Sequence, residues 1–499
     1  MRKLNSLLIM SFALILASTV RAQSPSGVNN AEMKGDYAFT FNGMTTGGGG
    51  ASTVFAAVGR FTADGAGNLT NGELDINGAG AQEKLTAQAY TGTYAIGADH
   101  RGVMNLNIPG GGKLAFAMMA NGNAKFIEID AAGGMGAVGS GTMEKADTTA
   151  YNTAKISGDY AFGVAGFDGS NNRSAIAGRF TANGAGTFTN GAADVNQAGI
   201  FTTLNIFAGN YIVTDITTGR GLMNLPPLVG GVPQNLNFVL YVVNAGKVFA
   251  MEVDVVTPLT PLLNGAILQQ QTPIGGFSNA SLNGGMVIYL SGRSGAGCGE
   301  TSPAPNVIAG LLSAAGNGAL TLTYDQNCGG SPASLTGLPG TYAAASNGRT
   351  AIRIGTSYVA AYLVSSNQAF FLVPDSTVLS GFGEPQAAGA FSNSSVQGTY
   401  AGSTTNPMTL GAVIFSGEFA ADGASPTGNI TGTEDIGAPS GPSSQAANAT
   451  YSVSSFPTNG RGTIAGSFGG NGITYVVSTS KFVVVSLSDP DPAVLIFEQ

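Results

Sequence analysis

The stretch Gly59-Arg-Phe-Thr-Ala-Asp-Gly-Ala-Gly67 decides the fold, because it occurs again almost unchanged as Gly178-Arg-Phe-Thr-Ala-Asn-Gly-Ala-Gly186. In both places an apolar strand runs into Asp/Asn-Gly-x-Gly, a turn sequence in which glycine supplies a positive φ. Weaker copies follow as Gly310-Leu-Leu-Ser-Ala-Ala-Gly316 and Gly417-Glu-Phe-Ala-Ala-Asp-Gly423. A phrase that recurs along the whole chain indicates a domain that is repeated in tandem.

Two charged markers keep the same period. Successive aspartates lie 119, 131 and 110 residues apart, and successive arginines lie 119, 129 and 112 residues apart. The aspartates are Asp75, Asp194, Asp325 and Asp435, and the arginines are Arg101, Arg220, Arg349 and Arg461. We therefore predict four tandem β-repeats, at residues 34–146, 157–271, 276–388 and 395–499.

Each copy reads as antiparallel β-structure. Tyr37, Phe39 and Phe41 alternate with small residues, which is the period of a strand with one buried face. The turn signals divide a copy into about eight strands with short connections, and no segment shows a capped helical period. The fold class is therefore all-β, with an up-and-down barrel favoured for each copy and a β-sandwich as the alternative.

The opening phrase of a copy resembles a known family. Gly35-Asp-Tyr37, Gly158-Asp-Tyr160 and Gly398-Thr-Tyr400 are similar to the Gly-x-Trp that opens lipocalin and avidin barrels, the calycins; the third copy has Met286 near this place. That resemblance implies a barrel that holds a small apolar ligand. The full repeat resembles uncharacterised Gly-rich β-repeat proteins exported by soil bacteria, a resemblance that implies no established activity.

The N-terminus predicts export. Arg2 and Lys3 precede an apolar run over 7–16, and small residues follow up to Ala22, so residues 1–22 read as a signal peptide. The mature chain would then be secreted, periplasmic or on the cell surface. In such an oxidising compartment Cys298 and Cys328, the two cysteines of the sequence, are predicted to form a disulfide in the third copy.

Composition argues against several functions. Charged residues make up 10% of the chain and the formal net charge is −8, which disfavours nucleic acid as a partner. A single histidine, His100, excludes a His-based catalytic site repeated in each copy, and we interpret it as a solvated turn residue. No nucleophile elbow or phosphate loop is present. We therefore expect a protein that is not an enzyme.

The repeated acids and arginines leave two interpretations open. Each Asp–Arg set could form an ion pair that a copy needs in order to fold, or it could form a ligand site at a barrel mouth. Further acids follow the second hairpin of each copy, and together with Asp64 and Asp422 they could bind Ca²⁺, although the dense spacing of a calcium loop is missing. These further acids are Asp130, Asp254, Asp375 and Asp489.

The sequence thus favours an exported, non-enzymatic repeat protein that acts as a surface or extracellular binding or structural module. Its partner would be an unknown extracellular ligand or surface, and no cofactor is required. One alternative is a set of calycin-like barrels that bind small apolar ligands. Another alternative is an outer-membrane β-barrel protein.

Overall fold

The described residues form four closed barrels, each of eight antiparallel strands. Within a barrel every strand pairs with the next strand in sequence, and the last strand pairs with the first. The prediction of tandem up-and-down barrels is therefore confirmed. The computed structural model describes residues 25–46, 52–79, 84–130, 138–226, 235–294, 303–409, 411–438, 441–454, 458–468 and 470–499. The predicted signal peptide and Cys298 lie outside these ranges.

The strands follow one another with short connections. The first barrel contains β1 (Lys34–Thr46), β2 (Ser52–Asp64), β3 (Asn68–Gly78), β4 (Leu85–Ile96), β5 (Arg101–Asn107), β6 (Lys113–Met118), β7 (Ala124–Glu128) and β8 (Val138–Lys145). The second contains β9 (Ser157–Phe167), β10 (Arg173–Asn183), β11 (Thr187–Gln197), β12 (Ile200–Val213), β13 (Arg220–Leu225), β14 (Leu236–Asn244), β15 (Lys247–Glu252) and β16 (Leu262–Gln269). The third contains β17 (Asn283–Ser294), β18 (Ala304–Ala315), β19 (Ala319–Cys328), β20 (Ser331–Ala344), β21 (Arg349–Ile354), β22 (Ser357–Ser365), β23 (Gln368–Leu372) and β24 (Ser380–Pro385). The fourth contains β25 (Gln397–Thr405), β26 (Ile414–Asp422), β27 (Gly428–Gly437), β28 (Ser443–Val453), β29 (Arg461–Gly466), β30 (Gly470–Ser478), β31 (Lys481–Ser486) and β32 (Val494–Glu498).

Aromatic rings fill the barrels and explain the strand glycines of the repeated phrase. A Cβ atom on Gly59 would lie 2.6 Å from the ring of Phe39, and one on Gly178 would lie 2.5 Å from the ring of Phe162. Glycine therefore stands where a ring crosses the backbone of the next strand, a known use of glycine inside strands. Both rings belong to the buried apolar clusters inside their barrels.

A short 3-10 turn precedes each barrel and is tied to it by a tyrosine. In the first barrel the hydroxyl of Tyr94 donates to the carbonyl of Met33 at 2.7 Å, and in the third Tyr342 donates to Leu282 at 2.7 Å. This is the tyrosine that recurs before the arginine marker in every copy. In the described ranges the helices are such short turns, and none combines the length and hydrophobicity that a bilayer span needs.

The four barrels pack head to tail through their outer faces. Ala56 and Val58 on β2 pack against Val239 and Tyr241 on β14 of the second barrel. The second and third barrels, and the third and fourth, meet in the same way. The outer face of β26 in the fourth barrel then packs on β6 and β7 of the first barrel. A head-to-tail contact that returns to its starting unit closes a ring, here with approximate fourfold symmetry inside one chain.

Candidate functional site

The repeated aspartates and arginines meet where one barrel contacts the next. Asp75 of the first barrel is 1% exposed and accepts hydrogen bonds of 2.8 Å from Nε and from a terminal nitrogen of Arg220 in the second barrel. The hydroxyl of Tyr241 donates to the same carboxylate at 2.8 Å. The hydrogen bonds that Arg220 donates to Asp75 raise the pKa of this arginine above its usual value. A planar, two-pronged ion pair therefore ties the two barrels together.

The next two junctions repeat this arrangement. Asp194 is buried and accepts two 2.8 Å hydrogen bonds from Arg349, together with one of 2.8 Å from Tyr362. Asp325 accepts hydrogen bonds of 2.8 and 2.7 Å from Arg461 and one of 2.6 Å from the hydroxyl of Tyr475. Each arginine is supplied by the barrel that follows the aspartate in sequence.

The interpretation of the Asp–Arg set as a pair within one copy is corrected by these contacts. The pair forms, but it joins neighbouring copies: Arg220 reaches back to the first copy and Arg349 reaches back to the second. The physical reason is that both side chains lie on the outer surface of their own barrel, which is the surface that packs against the neighbouring barrel. Sequence spacing could show that the residues recur, but not which copy supplies the partner.

The junction that closes the ring is built with fewer contacts. Arg101 donates to Asp435 of the fourth barrel at 2.7 Å through one nitrogen, and its Nε donates instead to Asp99 at 2.8 Å. Ala117 pairs with Arg101 in the strand register, at the place where Tyr241 pairs with Arg220. Burial raises the pKa of Asp435 above its usual value. Asp435 therefore accepts one hydrogen bond from its arginine, which also donates to Ser444 at 3.3 Å, whereas each of the other three aspartates accepts two.

An asparagine two residues after the aspartate adds a second clamp at three junctions. The side chain of Asn77 donates to the carbonyls of Glu252 and Asp254, both at 3.0 Å. Asn196 and Asn327 make the equivalent bonds to the third and fourth barrels. The fourth copy has Gly437 at this position, and a Cβ there would lie 2.8 Å from the carbonyl of Glu128. This asparagine is not among the site residues predicted from the sequence, although the phrase Asp-x-Asn recurs in three copies and marks its position.

The acids near the hairpin ends accept hydrogen bonds from residues of their own barrel. Asp254 accepts hydrogen bonds from the backbone and side chain of Asn237 at 2.9 and 2.7 Å, and Asp64 accepts two from the backbone of its own turn. Burial raises the pKa of Glu128 to about 8 and that of Glu252 to about 9. Across the described ranges no three metal-ligating side chains of the His, Cys, Asp and Glu types come together, so the calcium hypothesis finds no assembled site there.

His100 and Cys328 are the remaining candidates from the sequence. His100 lies in a turn, 46% exposed, and its Nδ1 lies 2.8 Å from a carboxylate oxygen of Glu32. Its pKa is raised above the usual value by that hydrogen bond. Cys328 is buried at the end of β19, and because Cys298 lies outside the described residues, the disulfide stays a prediction.

A cavity lies on the axis of the ring, which we call the axial cavity. Two adjoining spaces of about 330 and 420 Å³ share much of their lining, and all four barrels contribute to it. Ion pairs between neighbouring barrels surround it: Glu144 with Lys247 at 2.5 Å, Glu384 with Lys481 at 2.6 Å, and Lys125 with Glu498 at 3.2 Å. The lining includes Asn42, Arg173, Phe370, Phe382 and Ile496.

On its own geometry the chain is a barrel-repeat protein. No protein-family model matches it, and no curated protein matches it. Among solved structures it is similar to a protein of unknown function from the DUF3598 family of Nostoc punctiforme, with 10% identity over 61% of this chain and 98% of that chain, at a TM-score of 0.14. It is also similar to transferrin binding protein B of Haemophilus parasuis, with 9% identity over 93% of this chain and 76% of that chain, at a TM-score of 0.11. At these TM-scores neither similarity supports a conclusion about this chain.

Proposed function

We propose that this protein is exported and acts outside the cytoplasm as a non-enzymatic binding or structural module in the form of a preassembled ring. The observation that supports this role best is the use of the recurring polar residues. Asp194 and Arg349, like their counterparts in the other copies, form an ion pair that joins one barrel to the next. Residues that recur in order to build an assembly indicate that the assembled ring is the working unit.

The surroundings of the reactive side chains favour this role over catalysis. The aspartates at the junctions are satisfied by arginine and tyrosine, and His100 pairs with Glu32. A catalytic acid or base needs access to a substrate atom at hydrogen-bonding distance. Asp75 and Asp194, at 1% and 0% exposed, do not offer that access.

The interiors of the barrels do not favour the calycin alternative. Phe61, Phe116 and Phe126 are buried inside the first barrel, and the tilted rings of Phe180 and Phe188 contact each other inside the second, with their centres 4.8 Å apart. A calycin that carries a ligand leaves this space open. The binding role that we propose therefore belongs to the outer surfaces and to the space between barrels.

Two measurements test the proposal. The full chain with a C-terminal tag is expressed in a Gram-negative host, and the location and N-terminal residue of the product are determined. Small-angle scattering of the purified product then reports its shape. We expect exported protein that begins at Gln23, with a radius of gyration of about 23 Å, the value for a compact chain of this size.

Three outcomes would contradict it. Retention of the full-length chain in the cytoplasm would contradict the proposal that the protein acts outside the cytoplasm. A radius of gyration typical of four separate domains joined by linkers would show that the barrels do not form a closed ring. Turnover of an ester or glycoside by the purified protein, above the level of an Asp194→Asn variant, would show that the repeated acids catalyse a reaction.

A further inference from the structure

Arg173 differs from the other buried arginines of the described chain. It begins β10, is 6% exposed and lines the axial cavity. Three other arginines are less than a tenth exposed, and each of these forms an ion pair with an aspartate: Arg60 with Asp36, Arg101 with Asp435, and Arg179 with Asp159. Among the described residues no carboxylate lies within salt-bridge distance of Arg173.

The contacts of Arg173 leave its charge uncompensated. One terminal nitrogen donates to the carbonyl of Gly166 at 3.3 Å, and the guanidinium lies 5.1 Å from the ring centre of Phe167. Its Nε is buried, and no hydrogen-bond partner for this atom lies among the described residues. The acid of the same hairpin, Asp168, is occupied by N–H groups of the turn. Burial alone lowers the pKa of Arg173 to about 10.

A buried cation without a counter-charge destabilises a fold unless an anion is supplied. The axial cavity offers room for that anion, because a volume of about 330 Å³ lies in the range of small-molecule sites. The other charged groups in this part of the wall, Glu144 and Lys247, already neutralise each other. One net positive charge is left, which suits a monoanion better than a phosphate dianion.

The rest of the wall indicates the body of the ligand. Phe370, Phe382 and Ile496 contribute apolar surface to the cavity, and the two rings meet edge to face at 4.9 Å. Asn42 contributes a polar side chain in the same part of the cavity and donates to Asn406 at 3.1 Å. Lys247, which also lines the cavity, has a side chain that is 29% exposed. A ligand with one acidic group and an apolar chain matches this distribution.

We propose that the axial cavity binds a small organic monoanion with an apolar chain, of the class of medium-chain fatty carboxylates, and that Arg173 holds its carboxylate. This inference specifies the binding role proposed above, and it rests on the ring being closed. It places the ligand between the barrels, in contrast to a calycin, in which the ligand lies inside one barrel. A carboxylate would complete the two-pronged pairing that Arg173 lacks in the structure.

Calorimetric titration of the exported full-length protein with decanoate tests the site. Decanol supplies the chain without the charge, and acetate supplies the charge without the chain. We expect saturable binding of decanoate, at least tenfold weaker binding of both comparison compounds, and at least a tenfold loss of decanoate affinity in Arg173→Gln. The matched control is Arg353→Gln, which removes an exposed arginine on β21 and should leave the affinity unchanged.

A second measurement needs no variant. The carboxyl carbon of ¹³C-labelled decanoate, bound to the wild-type protein, is titrated by NMR. Contact with an arginine keeps a carboxylate ionised to lower pH, so the bound carboxyl should titrate below the free one. Equal affinity for decanol, an unchanged affinity in Arg173→Gln, or a bound carboxyl that titrates like the free one would each overturn the inference. If scattering shows a closed ring but decanoate does not bind, this inference fails and the proposed function stands. If scattering shows an open ring, both the proposed function and this inference fail.

Discussion

Arg349 in the third barrel donates two hydrogen bonds of 2.8 Å to Asp194 in the second barrel, so a residue pair separated by 155 positions joins two domains that each close on themselves. Asp194 is fully buried and also accepts from Thr203 at 2.6 Å. Removal of the Asp194 charge leaves the guanidinium of Arg349 without its counter-charge. Breaking a buried ion pair in this way costs about 3–5 kcal/mol of stability.

We therefore expect Asp194→Asn to destabilise the contact between the second and third barrels by about 3 kcal/mol. Thermal unfolding followed by circular dichroism, together with the rate of proteolysis in the linker between these barrels, measures the effect. The control Asp64→Asn changes an exposed turn and should stay within about 0.5 kcal/mol of wild type. Equal effects of the two substitutions would show that the buried pair adds no stability.

The closing junction should be the first to open. Arg101→Gln removes the charged contact to Asp435 at a junction that has Ala117 and Gly437 where other junctions have tyrosine and asparagine. No chain segment links these two barrels directly, so we expect the radius of gyration to increase in Arg101→Gln. In Arg349→Gln the barrels stay connected in sequence and through the closed remainder of the ring, and the radius should be nearly unchanged. Small-angle scattering of both variants measures the two radii. An equal increase in both would contradict the prediction that the closing junction opens first.

Stability should fall as the pH rises from about 5 to about 9. Burial raises the pKa of Glu252 to about 9 from its usual 4.5, so between these values the folded protein keeps a proton that the unfolded chain releases. The folded state then binds more protons than the unfolded state, and the free energy of unfolding decreases with pH across this window. Burial of Glu128 acts in the same direction up to about pH 8.

Glu252→Gln places a neutral amide where the protonated acid stands, and it should flatten this dependence. Melting temperatures of wild type and variant at pH 5, 7 and 9 measure the slope. Asp64→Asn is the matched control, because the pKa of Asp64 is lowered to about 2 by its hydrogen bonds to Asn68, outside the window. A variant whose slope equals that of wild type would rule out Glu252 as the titrating group.

Gly178→Ala should disturb the interior of the second barrel. The added methyl group would lie 2.5 Å from the ring of Phe162 and 2.8 Å from the carbonyl of Ala192. Overpacking of this kind costs about 1–3 kcal/mol. Gly246→Ala is the control, since its Cβ would meet its nearest neighbour at 3.4 Å and should change stability by less than about 0.5 kcal/mol. Urea unfolding of the two variants provides the comparison, and equal midpoints would show that the ring and the glycine do not compete for space.

The local structure of each barrel could be predicted from the sequence because it rests on neighbouring residues. Alternation around Phe39, the turn after Phe61 and the recurrence of Asp75 and Arg101 are properties of short stretches and of their spacing. Meander strands pair with their neighbours in sequence, so the up-and-down barrel follows from a list of strands and turns. The sequence also indicated that the recurring acids and arginines act together.

The partner of each charge, the closed ring and the cavity on its axis were decided by the tertiary structure alone. Arg220 could have met an aspartate of its own barrel, and the choice of Asp75 in the preceding one depends on which outer faces pack together. That packing depends on the curvature of four barrels and on apolar surfaces that are contiguous in space but scattered along the chain. The isolation of Arg173 is visible for the same reason only after the four barrels are assembled around it.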